Sequence, residues 1–251
     1  AMNWATCSAA TQILMPRFEI DEVLGTIKRM EQIFYFPAVP TMITAIVNNP
    51  KASDADLAQR IRLINSGGAP MPAELIQKVK DLGILFGEGW GMSETCAIGT
   101  NNPVTNKEFT GSIGLPLPGI DLAIKVEEGR SLPPGESGEI CIRGPNVMTG
   151  YYRQPAETAA AFTSDGFMRT GDIGVMDARG YTKIIDRKKD MIIVSGFNVF
   201  PNELENVISL CSGVVECAAV GIPDEKQGEA IKVFVVKNDP LLTEEDVAKY
   251  C

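Results

Sequence analysis

Between residues 57 and 91 the sequence twice runs from an apolar, strand-like stretch into a glycine-rich break, with one helical stretch between. Ile61-Arg62-Leu63-Ile64 reads as a strand and gives way to Ser66-Gly67-Gly68-Ala69-Pro70. A helix is expected from Pro72 to about Leu82. Residues 84–86 form the next strand and lead into Gly87-Glu88-Gly89-Trp90-Gly91. Strand, helix and strand at this spacing predict parallel βαβ units. Ligands of such sheets sit at the carboxyl ends of the strands, and both glycine-rich stretches follow strands and so fall there.

The flanking texture sets the organisation. In residues 17–33, Phe18, Ile20, Val23, Leu24, Ile27, Met30 and Ile33 repeat at helical spacing, with Asp21 as a cap. A short strand at 33–36 is ended by Pro37, and Pro40 opens a second helix through Val47. From Gly111 onward, alternating runs at 122–126, 139–143, 174–176 and 181–185 are separated by Pro and Gly turns, with a hairpin turn at 177–180 and one short helix at 155–162. That pattern predicts a small antiparallel β-barrel. The charged run Asp186-Arg187-Lys188-Lys189-Asp190 reads as an exposed junction. Beyond it a strand at 191–194, a helix at 201–210 and strands near 214–220 and 230–236 predict a small α+β unit, and Thr243 caps a last helix. The expected regions are residues 1–110 (part of an α/β layer), 111–188 (the barrel) and 189–251 (part of a small cap).

Composition narrows the chemistry. The chain has no histidine, which excludes Ser-His-Asp and Cys-His sites within it and any His metal ligand. Its six cysteines form no C-x-x-C pair, so reduced thiols in a cytosolic protein are expected rather than a zinc or redox centre. A net charge of −9 makes it a poor general binder of nucleic acid. A polyanionic ligand must be held locally, by backbone N–H groups, a metal ion or a small basic cluster. No apolar run reaches the length of a membrane span.

Four stretches carry chemical potential. In Gly87–Thr95, glycines at a strand end let a backbone approach a ligand, Trp90 offers a flat face, Ser93 a hydroxyl, and Glu94 a hard oxygen ligand suited to Mg²⁺. The spacing fits neither a dinucleotide fingerprint nor a nucleophile elbow, and Trp90 packed in the core remains the alternative. In Arg169-Thr170-Gly171-Asp172, a carboxylate before a strand suits a ribose diol or simply a turn. The run 186–190 is a solvated face or a hinge. Ser195–Pro201 is a glycine loop before a helix.

The order and wording of these stretches resemble the adenylate-forming superfamily of acyl-CoA synthetases, aryl-CoA ligases, luciferases and peptide-synthetase adenylation domains. The matching segments are FPAVPTM (36–42), SGGAPM (66–71), GWGMSET (89–95), GSIGLPL (111–117), GESGEICIRG (135–144), GYY (150–152), TGDI (170–173) and DRKKDMIIVSGFNVFPNELEN (186–206), the last most like that of long- and medium-chain fatty-acid ligases. The resemblance implies ATP-dependent conversion of a carboxylate to acyl-AMP, then transfer to coenzyme A, with ATP/AMP and Mg²⁺ and a fatty acid as substrate. It implies that Trp90 stacks on adenine and that Gly67, Gly68, Ala69 and Gly91 border the nucleotide. Ser93 would bond the α-phosphate, Glu94 would ligate Mg²⁺, and Asp172 and Arg187 would hold the ribose. Lys189 would be the hinge of a mobile cap, and Gly196 would line the thiol channel. A cytoplasmic location follows, with peripheral membrane contact left open. The family's Ser/Thr/Gly-rich phosphate loop and its C-terminal catalytic lysine segment have no counterpart in these 251 residues. The chain is therefore expected to be a fragment, inactive in adenylation alone. An aryl- or coumarate-type CoA ligase and a non-catalytic AMP-binding module are the alternatives.

Overall fold

The computed structural model describes residues 2–69, 71–104, 111–224 and 226–250. Pro70, the last residue of the first glycine-rich break, lies outside them. The chain forms two compact units, residues 1–120 with 145–148, and residues 121–144 with 149–251.

In the first unit, α1 (Met2–Cys7) and α2 (Ile20–Arg29) precede β1 (Phe36–Ala38), α3 (Pro40–Val47), the single turn α4 (Leu57–Arg60), β2 (Leu63–Ser66), α5 (Ala73–Asp81), β3 (Leu85–Trp90), β4 (Thr100–Asn101) and β5 (Leu115–Pro116). The strands form one sheet in the order β1-β2-β3-β4-β5. The first three are parallel, as the strand–helix–strand pattern requires, and the last two turn antiparallel. Val23, Leu24 and Ile27 of α2, Ile43 and Ile46 of α3, and Ile76 and Val79 of α5 pack with Ile64 and Phe86 of the sheet in one apolar core. Each such side chain stabilises by roughly 1.5–3 kcal/mol when fully buried.

Several boundaries differ from expectation for identifiable reasons. Pro37 lies inside β1 instead of ending a strand before it. β1 is an edge strand, so the missing N–H costs no central ladder bond. Asp21 does not cap α2: Glu19 occupies the N-cap, and Asp21, in the first turn, pairs with Lys51 at 2.8 Å. β2 begins and ends two residues late, so Ser66 belongs to the strand and is fully buried.

In the second unit, β6 (Asp121–Lys125), β7 (Ser137–Arg143), α6 (Pro155–Ala161), β8 (Met168–Met176) and β9 (Thr182–Arg187) are followed by β10 (Ile192–Val194), β11 (Phe197–Val199), α7 (Pro201–Ile208), β12 (Val214–Asp224), β13 (Gly228–Lys237) and α8 (Glu244–Tyr250). The expected barrel is not closed. β6-β7-β8-β9 is an open antiparallel sheet with β6 and β9 as its edges. Four short strands cannot wrap into a cylinder with room for its interior side chains. The second sheet of this unit has the order β11-β10-β13-β12. Thr243 does cap α8: its Oγ1 accepts the N–H of Asp246 at 3.2 Å, and the Asp246 carboxylate takes the Thr243 N–H and hydroxyl in return. Among the described residues no helix is long and apolar enough to cross a membrane.

Candidate functional site

In the first unit the glycine-rich run is strand, not loop. β3 continues through Gly87, Gly89 and Trp90, and the glycines admit protein neighbours. A Cβ on Gly87 would stand 2.6 Å from Asn65 Oδ1, and one on Gly89 2.8 Å from Asn101 Oδ1. A Cβ on Gly67 would stand 3.0 Å from Gly89 O, and one on Gly91 would run into Ala97 O and Ile98 Cα. These glycines therefore let β2, β3, β4 and the turn after β3 close on one another. Gly68, at φ +84°, and Ala69 are exposed just past the end of β2.

Trp90 is the last residue of β3, opposite Thr100 of β4, and half-buried. A tight turn, Ser93–Thr95, follows it. The buried Thr95 hydroxyl accepts the Met92 N–H at 3.0 Å, leaving Ser93 exposed and Glu94 half-buried. The turn is held from a distance in sequence. Asn146 donates from Nδ2 to Thr95 O at 2.9 Å and to Ile98 O at 2.7 Å, and the Met148 N–H bonds Glu94 O at 2.7 Å. Sequence reasoning missed this strap, because nothing in the wording around Asn146 announces a contact 51 residues away.

Glu88 was also missed as a group of its own, although it is the one charge between the glycines of β3. It is 9% exposed and lies opposite Ser66. Burial pushes its carboxyl up to about 7, against the lowering effect of a hydrogen bond from the Met71 N–H. The N–H contact ties the chain just past the Ser66–Ala69 break to β3.

In the second unit the structure brings Asp172 and Arg187 together. They are direct partners in the β8–β9 ladder, with Asp172 Oδ1 3.7 Å from Arg187 Nε. Asp172 stands inside β8, not in a turn ahead of a strand, because β8 reaches back to Met168. The Asp172 side chain is 13% exposed and that of Arg187 62%, so a largely buried carboxylate stands beside an exposed guanidinium.

The charged run is less exposed than its composition suggests. Asp186 is 2% exposed, its carboxylate accepting the Arg187 N–H at 2.7 Å and the Asn202 N–H at 2.9 Å. Lys188 is anchored through its N–H to Gly171 O at 2.8 Å. Lys189 is exposed in the turn between β9 and β10, which the Asp190 N–H closes on Arg187 O at 3.0 Å. Gly196 is exposed at φ +85°, after Ser195 at φ +50°, and the two make the tight turn joining β10 to β11. What reads as a loop before α7 is thus a hairpin, because consecutive left-handed residues match the strand twist.

Among the described residues no cluster of three His, Cys, Asp or Glu side chains could cage a metal ion. One half-buried carboxylate such as Glu94 fits Mg²⁺ in its usual mode, in which substrate phosphates and water supply most ligands.

Residues 1–152 match the family described as AMP-binding enzyme, and residues 203–251 match the AMP-binding enzyme C-terminal domain. The long-chain-fatty-acid–CoA ligase of Yersinia pestis is 41% identical over 233 residues, which are 92% of this chain and 41% of that protein. The feruloyl-CoA synthase of an Amycolatopsis species is 39% identical over 230 residues, 91% of this chain and 46% of that protein. The ATP-bound crystal structure of MatB from Rhodopseudomonas palustris superposes with a TM-score of 0.88 at 34% identity, over 99% of this chain and 49% of that one. The chain thus spans less than half the length of the curated relatives it matches. With a family match over more than half its residues, and the motif-bearing strands and turns folded as described, the chain belongs to the adenylate-forming, AMP-binding enzyme family.

Proposed function

We propose that this chain carries nucleotide-handling residues of an ATP-dependent acid–thiol ligase that joins a fatty acid to coenzyme A. The observation that carries the reading is the Asp172–Arg187 pair: a largely buried carboxylate able to accept two hydroxyl hydrogens, beside a guanidinium able to donate. That set of donors and acceptors suits a ribose diol. Its relatives' printed names supply the acid and the thiol.

On this reading Trp90 stacks on the adenine, and the chain at Gly67, Gly68, Ala69 and Gly91 borders it. Ser93 bonds the α-phosphate, and Glu94 offers Mg²⁺ an oxygen while the ion offsets phosphate charge. The fatty-acid carboxylate attacks the α-phosphorus and pyrophosphate leaves. The thiol of coenzyme A then attacks the acyl carbon and AMP leaves. The protein's contribution is positioning and charge stabilisation. Residues 1–110, 111–188 and 189–251 act as α/β layer, β-rich layer and mobile cap, with Lys189 as the pivot and Gly196 beside the thiol path.

The test has two parts. The chain, carrying Trp4→Phe so that Trp90 is its one tryptophan, is titrated with AMP while its fluorescence is followed. Binding that Asp172→Ala abolishes supports the reading, and AMP binding indifferent to that change refutes it. The whole protein is then assayed with fatty and aryl carboxylates. A preference for feruloyl-type acids would move the assignment to the second reading, which the Amycolatopsis relative favours.

A further inference from the structure

We infer that Glu139 is a positioning residue for the Asp172–Arg187 pair: its buried carboxylate holds the distorted stretch of β8 that presents Asp172 and, through Lys188, the chain next to it on β9. The inference rests on the ribose reading proposed above.

The distortion is visible in the register. Along β7–β8, Glu139 pairs with Ile173 and Cys141 with Arg169. Two steps on β7 therefore face four on β8, so Thr170, Gly171 and Asp172 bow out of the β7–β8 ladder, while Asp172 keeps its pairing with Arg187 on β9. Gly171 takes φ +75° there. A bulge re-aims side chains and leaves backbone groups without ladder partners.

Two side chains supply what the ladder does not. Glu139 Oε1 accepts the Gly171 N–H at 3.2 Å, and Thr170 Oγ1 accepts the Asp172 N–H at 3.1 Å while donating to Ile140 O at 2.7 Å. The other carboxylate oxygen, Glu139 Oε2, lies 3.1 Å from Arg169 Nη1 and 3.6 Å from Lys188 Nζ. The Lys188 N–H in turn bonds Gly171 O at 2.8 Å. Glu139 is 6% exposed, whereas the Lys188 side chain that reaches it is 41% exposed. One carboxylate thus touches both chain segments that carry the pair, at Gly171 next to Asp172 and at Lys188 next to Arg187. A residue chosen only to fill the sheet would need no charge. This one has two cations and an amide converging on it.

The experiment compares Glu139→Ala and Glu139→Gln in this chain by amide hydrogen exchange and by AMP titration. Glu139→Ala should speed exchange at Gly171 and Lys188, leave Ile140–Ile142 protected, and weaken AMP binding roughly tenfold. Glu139→Gln keeps an acceptor for Gly171, so it should restore protection there and most of the affinity, while Lys188 stays faster. If Glu139→Ala unfolds the chain, the Lys188 exchange and AMP affinity of Glu139→Gln decide. Unchanged exchange at Gly171 and Lys188, or acceleration spread evenly over β6–β9, overturns the role of Glu139. Failure of the ribose reading shows elsewhere, as AMP affinity that Asp172→Ala leaves intact.

Discussion

Asp186 Oδ2 accepts the backbone N–H of Asn202 at 2.9 Å, so a strand-end carboxylate caps a helix 16 residues further on. The helix needs it: Phe200 stands at the N-cap of α7 and supplies no side-chain acceptor. The same carboxylate takes the Arg187 N–H. Asp186→Ala should therefore leave two amides without their acceptor and cost about 1–3 kcal/mol for each that stays buried. Urea denaturation checks this. A midpoint equal to that of the unsubstituted chain would dismiss the cap.

Lys189 is the exposed middle of the turn that follows. Proline there fixes φ near −65° and removes an N–H. In the whole protein, Lys189→Pro should spare acyl-AMP formation and cripple thioester formation, whereas Arg187→Ala should harm both. Rates of the two half-reactions, measured separately, decide. Equal loss of both in Lys189→Pro, with folding intact, leaves only a surface turn.

Trp90 ends β3 half-buried beside the Ser93–Thr95 turn. Stacking of a base on an aromatic is worth roughly 1–3 kcal/mol. Trp90→Ala should weaken AMP binding by that amount, and AMP should change Trp90 emission in a chain carrying Trp4→Phe, where Trp90 is the one tryptophan. Emission and affinity both indifferent to the nucleotide would return Trp90 to a packing role.

Glu88 makes stability pH-dependent with a known sign. Burial raises its carboxyl from 4.5 to about 7, so the folded chain holds a proton that the unfolded chain has released. Its contribution is fully present below about pH 4.5 and is lost as pH rises through about 7. Glu88→Gln should flatten stability over that window. Denaturant midpoints at pH 5 and pH 7.5 test it: an equally steep fall in the variant would show that other groups set the slope.

The parallel β1–β3 layer was legible because apolar runs, a helical stripe and glycine breaks alternate at the spacing a βαβ unit imposes. What the sequence could not show was how each strand uses its neighbours. Gly87 and Gly89 read as openings for a ligand, yet their missing side chains make room for Asn65 and Asn101. That fact depends on β2 and β4 lying alongside. Asp172 read as standing ahead of a strand because Gly171 breaks the alternation on which strand recognition rests, although β8 passes through it. Asp186 read as exposed because it stands in a charged run, while burial was decided by two amides, one of them in α7. The barrel was expected from four alternating strands, but alternation fixes which face is buried and not whether the sheet closes.

The strap at Pro145–Met148 bears on the order of events during synthesis. Residues 121–144 are made between the turn at Ser93–Thr95 and the residues that fasten it, so the first unit is not finished when its last strand, β5, leaves the ribosome. Until Asn146 and Met148 emerge, Thr95 O, Ile98 O and the Glu94 carbonyl lack these donors. A nascent chain of which residues 1–120 have emerged from the ribosome should therefore present a formed sheet with an unsettled turn after β3, and emergence of the residues up to Met148 should set that turn in place.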